Sequence, residues 1–258
     1  MIRVRNLTVG YAGREVLSGL DLEFPAGSMT AVLGPNGSGK TTFVSTVSGV
    51  LKPWQGEIEL EGRKIQDYKP RALAGLMAVL PQKVEPTFGL SVKSMVMMGR
   101  YAHGSGFFGY DCEDETICAE AIGIVGISHL EHRSVAELSG GEFQRVLMAR
   151  TIAQQTRILV LDEVASSVDV AGKMEMFDLL RRMNGLGATI ICVIHDINLA
   201  AIYFDRLVFM SAGKVVLDGP PAEVINGENI SNVYNASVAV VEHPEIGVPQ
   251  VLFSPRSR

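Results

Sequence analysis

The segment that decides the fold reads Gly34-Pro35-Asn36-Gly37-Ser38-Gly39-Lys40-Thr41 and fits the pattern G-x-x-x-x-G-K-[ST]. It directly follows the short apolar run Met29–Leu33 and precedes Thr41–Leu51, where apolar residues recur at helical spacing. The sequence therefore predicts a buried strand, a glycine-rich turn and a helix. Glycines let successive amide groups converge on one point, and a helix N-terminus adds partial positive charge there, so this order is typical of a phosphate-binding loop.

The side chains that end this loop suit triphosphate chemistry. We expect Lys40 to neutralise the β- and γ-phosphates, and Thr41 to offer its hydroxyl to Mg²⁺, which prefers oxygen ligands. The predicted ATP contacts of the loop and the first turn of its helix are Gly34, Pro35, Asn36, Gly37, Ser38, Gly39, Lys40, Thr41 and Thr42.

A second apolar run, Ile158–Leu161, ends in two carboxylates, Asp162 and Glu163. In open α/β sheets, ligands bind at the carboxyl ends of the strands. Asp162 is predicted to hold the hydration shell of Mg²⁺. Glu163 is predicted to face the γ-phosphate as the base that orients the attacking water.

Around these motifs, short apolar runs alternate with helical segments such as Val170–Met183, which predicts a mostly parallel sheet and an α/β core. Alternating strands near the N-terminus, with Leu20, Leu22 and Phe24 on one face, predict an antiparallel layer. We expect a single domain over residues 1–258, with a core (1–86 and 156–218), a helical subdomain (87–155) and a C-terminal tail (219–258).

The composition of the 258 residues narrows the class of protein. With 47% hydrophobic and 20% charged residues, the chain has enough apolar material for a folded core. Its net charge of -5 argues against a duplex-DNA coat or a polybasic membrane anchor. Its apolar runs fall short of the roughly 20 residues of a membrane-spanning helix, and its N-terminus lacks the features of a secretory signal. We therefore expect a cytoplasmic location and no nucleic-acid partner.

The most discriminating segment is Leu138-Ser139-Gly140-Gly141-Glu142. Ser139 and Glu142 have the spacing of a capping box, so a helix is predicted to begin here. A serine hydroxyl and glycine amides at a helix N-terminus also form an anion site. Two phosphate sites in one chain imply either two nucleotides, or one nucleotide held between two chains.

On these motifs the sequence resembles the nucleotide-binding subunits of ATP-binding cassette (ABC) transporters over nearly its whole length. The resemblance implies a P-loop NTPase core with a parallel sheet, an N-terminal antiparallel β layer and an inserted α-helical subdomain. It implies ATP hydrolysis by a homodimer that encloses two Mg-ATP. The residues expected to contact the ATP of the other subunit are Ser139, Gly140, Gly141 and Glu142.

The resemblance extends to three further residues and one further loop. Tyr11 resembles the aromatic residue that stacks on adenine, and Gln82 the glutamine that touches Mg²⁺ and the attacking water. Ser167-Val168-Asp169 resembles the loop of subunit contact, with Asp169 at the dimer interface, and His195 resembles the histidine that contacts the γ-phosphate. The implied catalytic set is Glu163, His195, Gln82 and Lys40, and the implied metal set is Thr41, Gln82 and Asp162.

One position departs from the family. Val164 follows Glu163, where the family usually has proline, and a residue other than proline restores a backbone N–H donor at that point. Glu163 itself is kept, so hydrolysis is still expected.

The segments Thr87–Val92 and Met97–Arg100, and the tail stretch Val238–Pro249, are similar to those of importers for iron-siderophore complexes, haem and cobalamin. Molybdate or another metal oxyanion, and export instead of import, stay open. A soluble cassette that remodels DNA or ribosomes is disfavoured, because the interval Gln82–Leu138 is too short for a long coiled-coil insertion. The resemblance implies integral membrane permease subunits as partners, an extracytoplasmic substrate-binding protein acting indirectly, and a peripheral position on the cytoplasmic face of the inner membrane.

Overall fold

The computed structural model describes residues 1–86, 89–103, 109–164 and 168–254. The strands are β1 (Ile2–Tyr11), β2 (Arg14–Phe24), β3 (Met29–Leu33), β4 (Gln55–Leu60), β5 (Arg63–Lys64), β6 (Met77–Leu80), β7 (Ile158–Asp162), β8 (Thr189–Val193), β9 (Arg206–Ser211), β10 (Lys214–Gly219), β11 (Val238–Glu242) and β12 (Pro249–Phe253). The helices are α1 (Lys40–Val47), α2 (Pro70–Ala74), α3 (Val92–Met97), α4 (Cys112–Ile124), α5 (Gly140–Ala153), α6 (Val170–Gly185), α7 (Ile197–Tyr203), α8 (Pro221–Val224) and α9 (Gly227–Tyr234).

The described chain divides into two compact units. The first unit is built from Met1–Asp67 and the described residues from Leu180 onward, and the second from the described residues between Tyr68 and Leu179. The unit boundary falls within α6.

Parallel strands of the first unit carry the glycine-rich loop. β3 pairs in parallel with β8 on one side and with β9 on the other, and β10 pairs antiparallel to β9. All residues of β3 and β8 are buried, which explains why both read as continuous apolar runs. The loop therefore leaves the carboxyl end of a strand that is covered on both faces.

An antiparallel sheet with the strand order β2-β1-β4-β5 forms a second layer of the first unit. Along β2, Leu20, Leu22 and Phe24 are buried while the residues between them are exposed. The Phe24 ring lies 6.0 Å from the ring of Phe43, centroid to centroid. Helix α1 therefore packs its apolar side chains against this layer.

The second unit combines two parallel strands with a group of helices. β6 and β7 pair in register from Met77–Ile158 to Leu80–Leu161, and α3, α4 and α5 pack against one another. A buried ion pair connects the helices: Arg100 Nε donates to Asp114 Oδ1 over 2.7 Å, and each side chain is 6% exposed. Arg100 Nη1 also donates to the carbonyl of Ala153 over 2.9 Å. The start of α4 is thereby fixed to the end of α5.

The predicted fold class, an α/β core with parallel strands, an antiparallel β layer and a helical part, is confirmed. Helix α1 is shorter than expected, because it ends at Val47 and not at Leu51. Gly49 takes a φ of 76°, and the amides of Val50 and Leu51 both donate to the Ser45 carbonyl, which closes the helix. The boundaries expected for core, helical subdomain and tail stay a prediction, and residues 87, 88 and 167 of the quoted segments lie outside the described residues.

In the C-terminal segment, α9 and the hairpin β11–β12 follow α8. The side chain of Asn198 in α7 acts as a substitute strand partner for Val251. Asn198 Nδ2 donates to the Val251 carbonyl over 3.1 Å, and Oδ1 accepts from the Val251 amide over 2.7 Å.

Across the described residues, no helix combines the length and the hydrophobicity that crossing a bilayer requires.

Candidate functional site

The glycine-rich loop turns from β3 into α1 through left-handed backbone at Gly34, Gly37 and Gly39, with φ of 142°, 79° and 102°. An added Cβ at Gly34 would lie 2.0 Å from the carbonyl oxygen of Met210 in β9. Glycine is therefore required at Gly34 both for its backbone conformation and because β9 leaves no space for a side chain. An added Cβ at Gly37 would meet nothing within 4 Å, so the loop stays open on that side.

Lys40, the first residue of α1, directs its ammonium group back into the loop. Nζ donates to the carbonyl of Gly34 over 2.8 Å and to that of Pro35 over 3.0 Å, and Lys40 is only 7% exposed. A buried cation beside a helix N-terminus forms a cradle for an anion with several oxygens. This cradle fits the phosphates of a nucleotide.

The other predicted residues of the loop differ in exposure. Asn36 and Thr41 are exposed, whereas Ser38 and Thr42 are buried. The Thr42 carbonyl accepts a hydrogen bond from Thr46 Oγ1 over 2.6 Å, which is an interaction within the helix. Exposure leaves the Thr41 hydroxyl accessible to a ligand.

A groove of about 440 Å³ adjoins the loop. It is lined by Tyr11, Arg14, Glu15, Val16, Gly37, Ala212 and Gly213, and we call it the nucleotide groove. Tyr11 is 49% exposed, so its ring is available for stacking against a planar group. The structure thus brings two of the predicted ATP contacts, Tyr11 and Gly37, to one groove.

Sequence reasoning missed several residues of the nucleotide groove. Arg14 lies directly opposite Tyr11 in the register of β1 and β2, so the hairpin register was the signal that could have found it. Ala212 and Gly213 form the turn between β9 and β10. Nothing in their local sequence separates them from other turns of the chain.

In the second unit, Asp162 is the last residue of β7 and Glu163 follows it, as predicted. The two residues differ in environment. Asp162 is 1% exposed, while Glu163 takes a φ of 59°, a left-handed conformation that non-glycine residues rarely adopt. Gln82 Nε2 donates to Glu163 Oε1 over 2.6 Å. The structure therefore brings together two predicted catalytic side chains and holds one of them in a strained backbone conformation. Val164, at the position of the family's proline, is 1% exposed.

Ser139 and Glu142 form the predicted capping box at the start of α5. The Glu142 amide donates to Ser139 Oγ over 3.3 Å, and Glu142 Oε2 accepts from the Ser139 amide over 2.8 Å and from Ser139 Oγ over 2.7 Å. The Ser139 hydroxyl and amide hold the pKa of Glu142 below its ordinary value. The carboxylate therefore stays ionised and keeps the amide of Ser139 directed at itself.

Two further predicted residues lie at the starts of helices. Asp169 Oδ1 accepts from the Gly172 amide over 2.8 Å at the first turn of α6. His195 is exposed and follows β8, and the next residue, Asp196, caps α7 through the amides of Asn198 and Leu199, each over 3.0 Å. These caps fix the backbone on which each predicted residue is carried.

A family model described as ABC transporter matches residues 17–166 of the chain. The ferric enterobactin transport ATP-binding protein FepC of Escherichia coli is 35% identical over 252 residues, covering 97% of this chain and 93% of that protein. The hemin import ATP-binding protein HmuV of Pseudomonas aeruginosa is 39% identical over 257 residues, covering 98% and 99%. An uncharacterized ABC transporter ATP-binding protein of Bacillus subtilis is 36% identical, and the chain spans 58% of its length.

Among solved structures, the chain is similar to a metal-chelate type ABC transporter in an inward-facing conformation. The TM-score is 0.85 at 24% sequence identity, with 99% of this chain and 98% of the other covered. At that identity the likeness shows the shared fold. The matched family model and the relatives aligned over nearly the whole chain show that this protein belongs to the ABC transporter family.

Proposed function

We propose that the protein is the ATP-hydrolysing subunit of an ABC importer for a metal chelate, an iron-siderophore complex, haem or cobalamin. The observation that carries this proposal is similarity over nearly the whole chain to proteins named for ferric enterobactin transport and hemin import. The family model matches residues 17–166, and the similarity to these proteins also covers most of the chain after residue 166.

ATP is proposed to bind with its base in the nucleotide groove and its phosphates on the glycine-rich loop. The exposed Tyr11 ring, on which a base can stack, supports the position of the base. The cradle formed by Lys40 and the loop supports the position of the phosphates. The groove and the loop share Gly37, so a single nucleotide can reach both.

Mg²⁺ is proposed to accompany ATP, with oxygen donors from Thr41, Gln82 and Asp162. A hydroxyl, an amide oxygen and a carboxylate are the hard oxygen ligands that this ion prefers. When bound, Mg²⁺ would neutralise part of the negative charge on the phosphates.

For hydrolysis, the oxygen of a water molecule attacks the γ-phosphorus, and the bond from that phosphorus to the oxygen of the leaving ADP breaks. Glu163 accepts the proton that the water loses. Gln82 orients the Glu163 carboxylate through the 2.6 Å hydrogen bond from its amide. His195 and Lys40 are proposed to stabilise the γ-phosphate oxygens during this step.

Two copies of the chain are proposed to enclose two ATP molecules, with Ser139, Gly140, Gly141 and Glu142 of one copy contacting the γ-phosphate bound to the other, and Asp169 at the interface. ATP then stabilises the closed dimer, and hydrolysis removes that stabilisation. The dimer is proposed to act on integral permease subunits at the cytoplasmic face of the membrane. An extracytoplasmic binding protein would deliver the chelate to those subunits.

Transport measured in vesicles tests this proposal. The chain is reconstituted with its permease subunits, and uptake of a labelled ferric siderophore, haem, cobalamin and molybdate is compared with and without ATP. ATP-dependent uptake of one of the first three supports the proposal. Uptake of molybdate alone, or export of the solutes, would overturn the assigned substrate class or direction.

A further inference from the structure

The turn between β9 and β10 lines the nucleotide groove. Its central residues, Ala212 and Gly213, have φ of 47° and 75°, the pattern of a type I′ turn in which both central residues take positive φ. Both residues face the same groove as Tyr11 and Val16. A turn that merely joins two strands has no need to approach a ligand groove.

Gly213 also forms backbone hydrogen bonds in two directions. Its amide donates to the carbonyl of Ser38 over 3.2 Å, and its carbonyl accepts from the amide of Ser18 over 3.0 Å. Ser38 belongs to the glycine-rich loop, whereas Ser18 belongs to β2, two residues beyond Val16. One residue therefore connects the strand that lines the groove to the loop that forms the phosphate cradle.

The contact around Gly213 is close. An added Cβ would lie 2.1 Å from the carbonyl oxygen of Val16 and 3.4 Å from the Cα of Leu17. Two other turns have the same backbone: Ala12–Gly13, with φ of 46° and 80°, and Glu61–Gly62, with φ of 51° and 79°. An added Cβ at Gly13 or Gly62 would meet nothing within 4 Å. Close packing therefore distinguishes Gly213 from two glycines with similar φ in similar turns.

We propose that Gly213 is a positioning residue for ATP binding, which sets the spacing between the groove wall at Val16 and the glycine-rich loop. ATP has a base and a triphosphate joined by a fixed length of covalent structure. It can engage both parts of the site only when their spacing matches that length. Gly213 holds this spacing through its two hydrogen bonds and its contact with β2. The inference rests on the proposed function, because it takes ATP as the ligand.

Calorimetric titration of two ligands into the full chain with Mg²⁺ tests this role. Mg-ATP requires the groove and the loop together, whereas inorganic tripolyphosphate engages the loop alone. Gly213→Ala moves β2 away from the turn, so we expect its Kd for ATP to rise about tenfold or more and its Kd for tripolyphosphate to stay within about twofold of wild type. Gly62→Ala is the matched control, with the same turn geometry and open space, and it should bind both ligands as wild type does.

Unchanged ATP affinity in Gly213→Ala would overturn the inference, since the spacing would then not depend on this residue. Equal weakening of ATP and tripolyphosphate would overturn it as well, because the substitution would then have disturbed the loop itself. Failure of the wild-type chain to bind ATP would instead reject the proposed function on which the inference rests.

Amide hydrogen exchange on the wild-type chain tests the same point without any substitution. The Ser18 amide donates to Gly213, so its exchange reports the contact between turn and strand. ATP should slow exchange at Ser18 more than tripolyphosphate does, because only ATP engages both sides of the turn. Identical protection by the two ligands would contradict the positioning role.

Discussion

The Nε2 atom of Gln82 lies 2.6 Å from Oε1 of Glu163 and donates a hydrogen bond to it. The two residues are far apart in sequence, and each follows a strand of the parallel pair β6–β7. The amide restricts the rotation of a carboxylate whose backbone is already constrained at a φ of 59°. Both constraints limit the directions from which the carboxylate can accept a proton.

Glu163→Gln should lower ATP turnover by roughly 10²- to 10⁴-fold, since an amide cannot accept the proton of the attacking water. ATP binding should persist, so an ATP-bound dimer should accumulate. Steady-state ATPase assays and light scattering on a sizing column measure the two effects. Glu120→Gln, at an exposed glutamate of α4, should behave as wild type. Near-normal turnover in Glu163→Gln would reject Glu163 as the base.

Ser139→Arg should block hydrolysis while leaving ATP binding intact, because a bulky cation at the start of α5 obstructs contact with the γ-phosphate of the other subunit. Ser139→Ala keeps the amides of Gly140 and Gly141, so it should lose less activity. Mixed dimers with one Ser139→Arg copy measure the cross-subunit arrangement. If both sites of such dimers hydrolysed ATP normally, Ser139 would have no role in trans.

Tyr11→Ala should raise the KM for ATP about tenfold or more with little change in kcat, because base–aromatic stacking contributes roughly 1–3 kcal/mol to binding. Tyr11→Trp retains an aromatic ring and should keep a KM near that of wild type. Initial-rate kinetics separate the two constants. A fall in kcat with unchanged KM in Tyr11→Ala would argue against a stacking role.

Asp114→Asn should lower the free energy of unfolding by about 3 kcal/mol, because it leaves the buried Arg100 guanidinium without its counter-charge. Urea denaturation measures this loss. Glu115→Gln removes the exposed partner of Lys93, 3.7 Å away, and should cost at most about 1 kcal/mol. Comparable losses in the two variants would contradict a special role for the buried pair.

The stability conferred by Asp114 should also depend on pH. The hydrogen bond from Arg100 holds the pKa of Asp114 below its ordinary value in the folded chain. The stabilisation by ionised Asp114 is therefore complete when the pH is above the pKa that Asp114 has in the unfolded chain, about 3.9. It is lost as the pH falls through the lower pKa that Asp114 has in the folded chain. The difference in unfolding free energy between wild type and Asp114→Asn should shrink as the pH drops below about 4. A constant difference down to the lowest measurable pH would refute this.

Features that depend on local sequence were predictable. The order of β3, loop and α1 follows from apolar runs and glycines adjacent in the chain. The capping box of Ser139 and Glu142 follows from a spacing of three residues, because helix geometry alone brings these groups together. In both cases, interactions between residues close in sequence are enough to determine the local structure.

Features that depend on distant contacts were not predictable. The hairpin β11–β12 is held by the side chain of Asn198, which bonds to the backbone of Val251, 53 residues away in sequence. The periodicity of apolar residues cannot predict a hydrogen bond between residues so far apart. The dipeptides Ala12–Gly13 and Ala212–Gly213 are identical and have similar φ values, yet an added Cβ would clash with Val16 of β2 at Gly213 and would meet nothing within 4 Å at Gly13. Local propensity fixes the turn type, whereas the role of the turn arises from tertiary structure.

The ammonium of Lys40 joins the carbonyls of Gly34 and Pro35, so the chain itself maintains the curvature of the glycine-rich loop. A phosphate then meets a preformed surface, and little conformational entropy is lost on its arrival. In repeated cycles of nucleotide exchange, the loop need not refold after each product departs.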